Sequence, residues 1–135
     1  MGNTLRTLRI DGAVYRYRVQ GRQSRIIAGV PRLATVFTAF MNGKHAPMRF
    51  VFPESPEHGP TLPERTGVIA EYRDPKWMIN LHRPAVAEAL IKIALDAGWQ
   101  PDTAARREFV IEDAYELLRD RCDRLEGLSE SEEFT

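Results

Sequence analysis

The side chains that most often carry chemistry in proteins are few and scattered in this sequence. Its three histidines, His45, His58 and His82, have no second ligand at the spacing that helical metal sites use. The single cysteine, Cys122, lies on the apolar stripe of a predicted helix, where a thiol is typical of a core residue. No nucleophile elbow, phosphate-binding loop or dinucleotide motif occurs. We therefore expect no metal, no cofactor and no identifiable catalytic residue.

One enzymatic alternative stays open. Four prolines and Gly59 occur from Pro53 to Pro63, and this composition predicts an exposed loop, in or beside which Glu54, Glu57 and Glu64 lie. Carboxylates in such a loop do acid–base work only where burial or proximity separates their pKa values. A small enzyme would therefore have to assemble its site in three dimensions, from scattered residues such as His58, His82 and Glu57.

Arginines form the most distinctive pattern. Arg16 and Arg18 share one face of the strand predicted for residues 14–19, and Arg9 lies on the polar face of the preceding strand. A guanidinium group donates two hydrogen bonds in one plane, which suits carboxylates and phosphates. The sequence thus predicts an arginine-rich binding face that includes Arg9, Arg16, Arg18, Arg22 and Arg25, and that Arg32, Lys44 and Arg49 could extend.

The charge of the chain is unevenly distributed, although its formal net charge is zero. Residues 1–50 contain nine basic side chains and one acidic one, whereas residues 101–135 contain five basic and eleven acidic ones. The basic half indicates an acidic partner, or it is neutralised within the fold by the acidic third. Nucleic acid is disfavoured because Tyr15 and Tyr17 lie on the opposite, apolar face, where they could not stack on bases.

Strands must position these arginines. Asp11-Gly12 between residues 7–10 and 14–19 predicts a tight hairpin. Apolar and charged residues alternate along the second strand, as in an antiparallel sheet that is covered on one side. Further strands are predicted at residues 25–27, 34–40, 48–52, 66–72, 77–81 and 107–111.

Two helices complete the predicted fold. The first begins at Pro84 and ends before Gly98, where glycine favours the left-handed conformation and Pro101 prevents continuation. The second begins at Glu112 or Asp113 and ends at Gly127. We predict an α+β domain over residues 1–128, with a mostly antiparallel sheet of about five to seven strands and two amphipathic helices packed on one face. Residues 129–135 are predicted to form a frayed acidic tail.

Residues 79–111 resemble a pattern of small uncharacterised bacterial proteins. The matching residues are Ile79-Asn80-Leu81, Pro84-Ala85-Val86, Ala94, Gly98-Trp99-Gln100-Pro101 and Phe109-Val110-Ile111. In that pattern a strand enters a proline-started helix that ends in Gly-Trp-x-Pro, and a short apolar strand follows. Arg83 departs from it, because a threonine-like cap is more usual there. The resemblance implies this local fold and a bacterial origin, and analogy suggests an immunity or defence-accessory role.

These observations favour a binding protein over an enzyme. The N-terminus lacks the apolar run of a signal peptide, and no stretch approaches the ~20 apolar residues that span a bilayer. We expect a cytoplasmic, non-enzymatic, immunity-like domain that binds an acidic protein through its arginine-rich face, with no membrane contact. The alternatives are the small enzyme described above and a nucleic-acid-binding protein. The sequence indicates no oligomeric state.

Overall fold

The structure of the protein, a computed structural model, describes residues 5–60, 67–73 and 77–121. Cys122, the C-terminal part of the second predicted helix and the predicted tail at residues 129–135 lie outside the described residues.

The described residues form a mainly β structure with eight strands and two helices. In chain order these are β1 (Arg6–Ile10), β2 (Ala13–Ile27), β3 (Val30–Met41), β4 (Met48–Pro53), β5 (His58–Pro60), β6 (Val68–Glu71), β7 (Trp77–Asn80), α1 (Pro84–Asp96), β8 (Phe109–Ile111) and α2 (Ala114–Arg119). They form a five-stranded sheet, ordered β1-β2-β3-β4-β8, and a three-stranded sheet, ordered β5-β6-β7. Only β8 pairs in parallel, with β4. The prediction of a mostly antiparallel α+β fold is confirmed. The described strands number eight rather than about five to seven, and they form two sheets rather than one.

Two-residue turns set the register of the large sheet. Asp11 and Gly12 have φ angles of 51° and 84°, which fits the hairpin predicted for this pair. Ala28 and Gly29 have φ angles of 52° and 79° and join β2 to β3 in the same way. The sequence did not predict the second turn, because alanine seldom adopts positive φ.

The prediction that residues 53–63 form an exposed loop is wrong for residues 58–60. His58–Pro60 forms β5, which pairs with β6, and His58 is only 6% exposed. Proline is compatible with this position because β5 is an edge strand, where one side of the backbone forms no ladder.

The main core lies between the inner face of the large sheet and the elements that follow it. Tyr15 and Tyr17 of β2 are buried there, as predicted. The same cluster contains residues of the three-stranded sheet, α1 and α2, including Ile79, Leu90 and Leu118. Because this larger apolar cluster lies on the face that carries Tyr15 and Tyr17, the alternation along β2 directs Arg16 and Arg18 to the opposite face.

The end of α1 is also fixed by packing. Gly98 has a φ of 113°, and the backbone N–H of Trp99 donates to the carbonyl of Ala94 at 3.0 Å. The Trp99 indole donates to the carbonyl of Ala46 at 2.8 Å, which ties the helix end to the β3–β4 connection. In the described part of the chain, no helix is long and apolar enough to cross a membrane.

Candidate binding surface

The outer face of the large sheet carries most of its arginines. Residues that pair directly across neighbouring strands lie on the same face, and the register pairs Arg16 with Phe40, Arg18 with Thr38, and Thr38 with Arg49. The apolar cluster on this side, formed by Ile27, Ala34, Val51 and Val110, contains no residue of α1 or α2. We call this side of the five-stranded sheet the open face.

The five arginines predicted as a site do not all lie together. Arg9, Arg16 and Arg18 lie at neighbouring positions of the open face. Arg25 lies on the same face, but it is seven residues beyond Arg18, about 23 Å further along β2. Arg22 lies in a β-bulge of β2, and its guanidinium is 3.1 Å from a carboxylate oxygen of Glu54. The structure therefore divides the predicted site into a central group and a hairpin-tip group.

A pocket of ≈ 540 Å³ opens beside the central group, and we call it the basic pocket. Its size lies in the range of small-ligand sites. Its lining combines β2–β4 with the β3–β4 connection and the segment that precedes β8; the lining residues are Leu5, Arg18, Thr38, Phe40, Lys44, His45, Pro47, Arg49, Arg106 and Glu108.

Positive charge exceeds negative charge in this pocket. Four lining side chains are arginine or lysine, and the single carboxylate, Glu108, forms an ion pair with Arg49. Within residues 5–60, 67–73 and 77–121, the charged side chains of Arg18, Lys44 and Arg106 have no hydrogen bond or ion pair with protein. Three positive charges are therefore available to a ligand.

Two buried polar atoms on the open face lack partners. The Thr38 side chain is 4% exposed, and its hydroxyl has no hydrogen bond with any described residue. Nε of Arg16 is also buried without a hydrogen bond to any described residue, and Arg16 belongs to the neighbouring cross-strand pair with Phe40. A buried polar group without a partner costs about 1–3 kcal/mol, so such groups call for an explanation. A bound anion could satisfy the Thr38 hydroxyl, since Thr38 lines the basic pocket.

Several residues of this surface were missed by the sequence analysis. Arg106 and Thr38 were not predicted, and His45 was given no role. Phe40, which the sequence argument about nucleic acid did not consider, lies half-buried on the open face. Period-two alternation could not reveal it, because residues on both faces of β3 between Ala34 and Phe40 are mostly apolar.

A second group of polar residues surrounds Glu71 on the other sheet. Glu71 is fully buried, and its carboxylate lies 2.8 Å from Nε of Arg73 and 3.2 Å from Nη1 of Arg119. His58 places Nε2 2.8 Å from the same carboxylate and Nδ1 3.2 Å from the hydroxyl of Ser55. The His58 ring also stacks on Tyr115 of α2, with ring centroids 4.0 Å apart.

These contacts fit a structural role better than catalysis. Burial alone would raise the pKa of Glu71, but hydrogen bonds from Arg73 and His58 outweigh burial and lower this pKa to about 2. The carboxylate is thus a neutralised counter-ion for two arginines rather than a base that can accept a proton near pH 7. We interpret the group, called the Glu71 cluster, as a link between β6 and α2.

The structure does not assemble the enzyme site considered above. His58 pairs with Glu71 at one end of β6, whereas His82 follows β7 near Gly67, at the other end of β6. Glu57 is exposed, and neither described pocket is lined by any of these residues. In the described part of the chain, no group of three or more His, Cys, Asp or Glu residues could hold a metal ion.

Comparison of the chain with protein-family models, with curated proteins and with solved structures found no match. The resemblance of residues 79–111 to small bacterial proteins therefore stays a prediction.

Proposed function

We propose that this protein is a non-enzymatic binding domain that holds an acidic segment of another protein on its open face. This proposal is supported mainly by the excess of unpaired positive charge around the basic pocket, where Arg18, Lys44 and Arg106 have no acidic partner among the described residues. A flexible carboxylate-bearing chain would supply the missing counter-charges. A cytoplasmic, immunity-like role is part of this proposal, and its immunity-like part is supported by the resemblance of residues 79–111 alone.

Among the described residues, few ion pairs neutralise the open face, which supports an external partner. Among the described acids of residues 101–121, Glu108 reaches an open-face arginine, Arg49. Glu116 instead pairs with Arg73, which belongs to the Glu71 cluster. The described acidic residues thus leave most of the open-face charge uncompensated.

Single-stranded nucleic acid is a second candidate, favoured by Phe40. An aromatic ring beside arginines can stack on a base while the arginines bind phosphates. The zero net charge of the whole chain opposes this candidate, because nucleic-acid affinity depends largely on the release of phosphate counter-ions. One aromatic side chain is also a small stacking platform. We therefore rank it second.

A charge-reversal pair tests the proposal. Arg18→Glu reverses one charge in the basic pocket, whereas Arg6→Glu makes the same change on the opposite face of the neighbouring strand. Fluorescence anisotropy with a labelled oligoglutamate peptide should show at least tenfold weaker binding for Arg18→Glu and little change for Arg6→Glu. Equal affinities of the two variants would contradict the proposal. A single-stranded oligonucleotide that binds more tightly than the peptide, and loses affinity in Phe40→Leu, would favour the second candidate instead.

A further inference from the structure

We propose that the basic pocket is a binding site for a phosphoryl group carried by a side chain of the acidic partner. This inference rests on the proposed function and deepens it. The pocket offers three more positive charges than negative ones. One carboxylate supplies a single negative charge, whereas a phosphorylated side chain carries about −1.5 to −2 near pH 7 and offers three acceptor oxygens. A phosphoryl group therefore matches the charge of the pocket better.

The register places the donors around one point. Arg18, Thr38 and Arg49 are direct cross-strand neighbours on three consecutive strands, so Thr38 lies between the two arginines. Neighbouring strands are about 4.8 Å apart, which places the Cα atoms of the two arginines about 10 Å from each other. Both guanidiniums can therefore reach an oxyanion above Thr38. Lys44 and Arg106 approach the same pocket from two different connections.

The hydroxyl of Thr38 gives the pocket a specific donor. It is buried and has no partner among the described residues, although valine would fill the same volume at that strand position without an unpaired polar atom. An oxygen of a phosphoryl group would accept its hydrogen bond once the side chains that cover the hydroxyl shift toward the ligand. Threonine at position 38 thus costs stability in the free protein and would become favourable when the anion is bound.

Glu108 opposes the binding of an anion in the basic pocket. Its carboxylate is ion-paired with Arg49, so it competes with an incoming anion for the same guanidinium. Removing the carboxylate should strengthen anion binding, whereas removing a cation should weaken it. Because these two changes alter anion affinity in opposite directions, they distinguish a specific anion site from a general loss of folded structure.

The shape of the pocket favours a phosphoryl group that is attached to a larger molecule. The pocket volume of ≈ 540 Å³ is far larger than one phosphate ion. It also adjoins the row of Arg9 and Arg16 on the open face, which can bind further carboxylates of the same segment. An acidic peptide with one phosphoserine therefore fits the surface as a whole.

Inorganic phosphate is the first probe. We expect phosphate, added at constant ionic strength, to raise the melting temperature of the protein more than chloride does. Thr38→Val should keep or increase stability without ligand but bind phosphate about tenfold more weakly, and Thr38→Ser should retain binding. Glu108→Gln should bind phosphate more tightly. Thr7→Val, an exposed site on the same face outside the pocket, is the matched control.

The outcomes separate this inference from the proposed function. No effect of phosphate beyond that of chloride, or equal phosphate binding by Thr38→Val and Thr7→Val, would overturn the phosphoryl site while leaving oligoglutamate binding intact. A phosphoserine peptide of acidic sequence should bind at least tenfold more tightly than its serine counterpart. A mononucleotide that binds more tightly than this phosphopeptide would overturn the assignment to a protein partner.

Discussion

Removing the charge of Glu71 tests how the three-stranded sheet and α2 are held together. Glu71→Gln keeps the shape of the side chain but leaves Arg73 and Arg119 without their shared counter-ion. Breaking a buried ion pair from one side costs about 3–5 kcal/mol. Both arginine side chains are about a third exposed (37% and 31%) and can be partly hydrated, so we expect the lower end of this range.

The pKa of Glu71 gives an independent magnitude. A pKa that folding lowers from 4.5 to about 2 corresponds to a stabilisation on the order of 3 kcal/mol. Because the pKa is lowered, this stabilisation is fully present above about pH 4.5 and is lost as the pH falls through 2. The difference in unfolding free energy between the natural protein and Glu71→Gln should therefore be about 3 kcal/mol at pH 7 and should shrink below pH 4.5.

Urea unfolding across this pH range measures that difference directly. Glu116→Gln is the matched control, since Glu116 contacts the same Arg73 at 3.1 Å but is 56% exposed, and it should cost less than 1 kcal/mol. A difference for Glu71→Gln that stays constant from pH 7 to pH 2, or that equals that of Glu116→Gln, would refute the assigned role of the Glu71 cluster.

Two further substitutions have expected outcomes that a paired control can check. Tyr115→Phe should not destabilise the protein, because the buried Tyr115 hydroxyl has no partner among the described residues. Tyr17→Phe should cost about 1 kcal/mol, because it removes a 3.2 Å hydrogen bond to the His82 carbonyl; thermal unfolding of both variants measures the difference. Gly67→Ala should cost about 2–4 kcal/mol, because φ is 90° and the new Cβ would lie 2.5 Å from the His82 ring. Gly43→Ala, with a φ of 82° but no atom within 4 Å, should cost only about 1 kcal/mol, and equal losses would contradict the steric argument.

Local patterns predicted the elements of the fold well. The hairpin at Asp11-Gly12, the burial of Tyr15 and Tyr17, and the first helix followed from turn chemistry and periodicity. Strand β5 was not predicted, because the prolines in and before it disfavour a strand unless it lies at a sheet edge. The sequence does not show where sheet edges lie.

The candidate site was only partly predictable for a similar reason. Arg16 and Arg18 alternate with apolar residues on one strand, so their common face is visible in the sequence. Arg106 and Lys44 reach the same pocket from separate connections, and Thr38 becomes its neighbour only through strand pairing. Such long-range contacts depend on register, which a single sequence does not specify beyond each hairpin.

Chemical-shift mapping tests most directly the central claim that the open face binds an acidic chain. Titrating isotope-labelled protein with an oligoglutamate peptide should shift the backbone amides of Arg18, Thr38 and Arg49 first, and raising the salt concentration should weaken the effect. Shifts centred instead on the exposed apolar residues of the hairpin tip, Ile26 and Leu33, or no saturable shifts at low salt, would contradict the account.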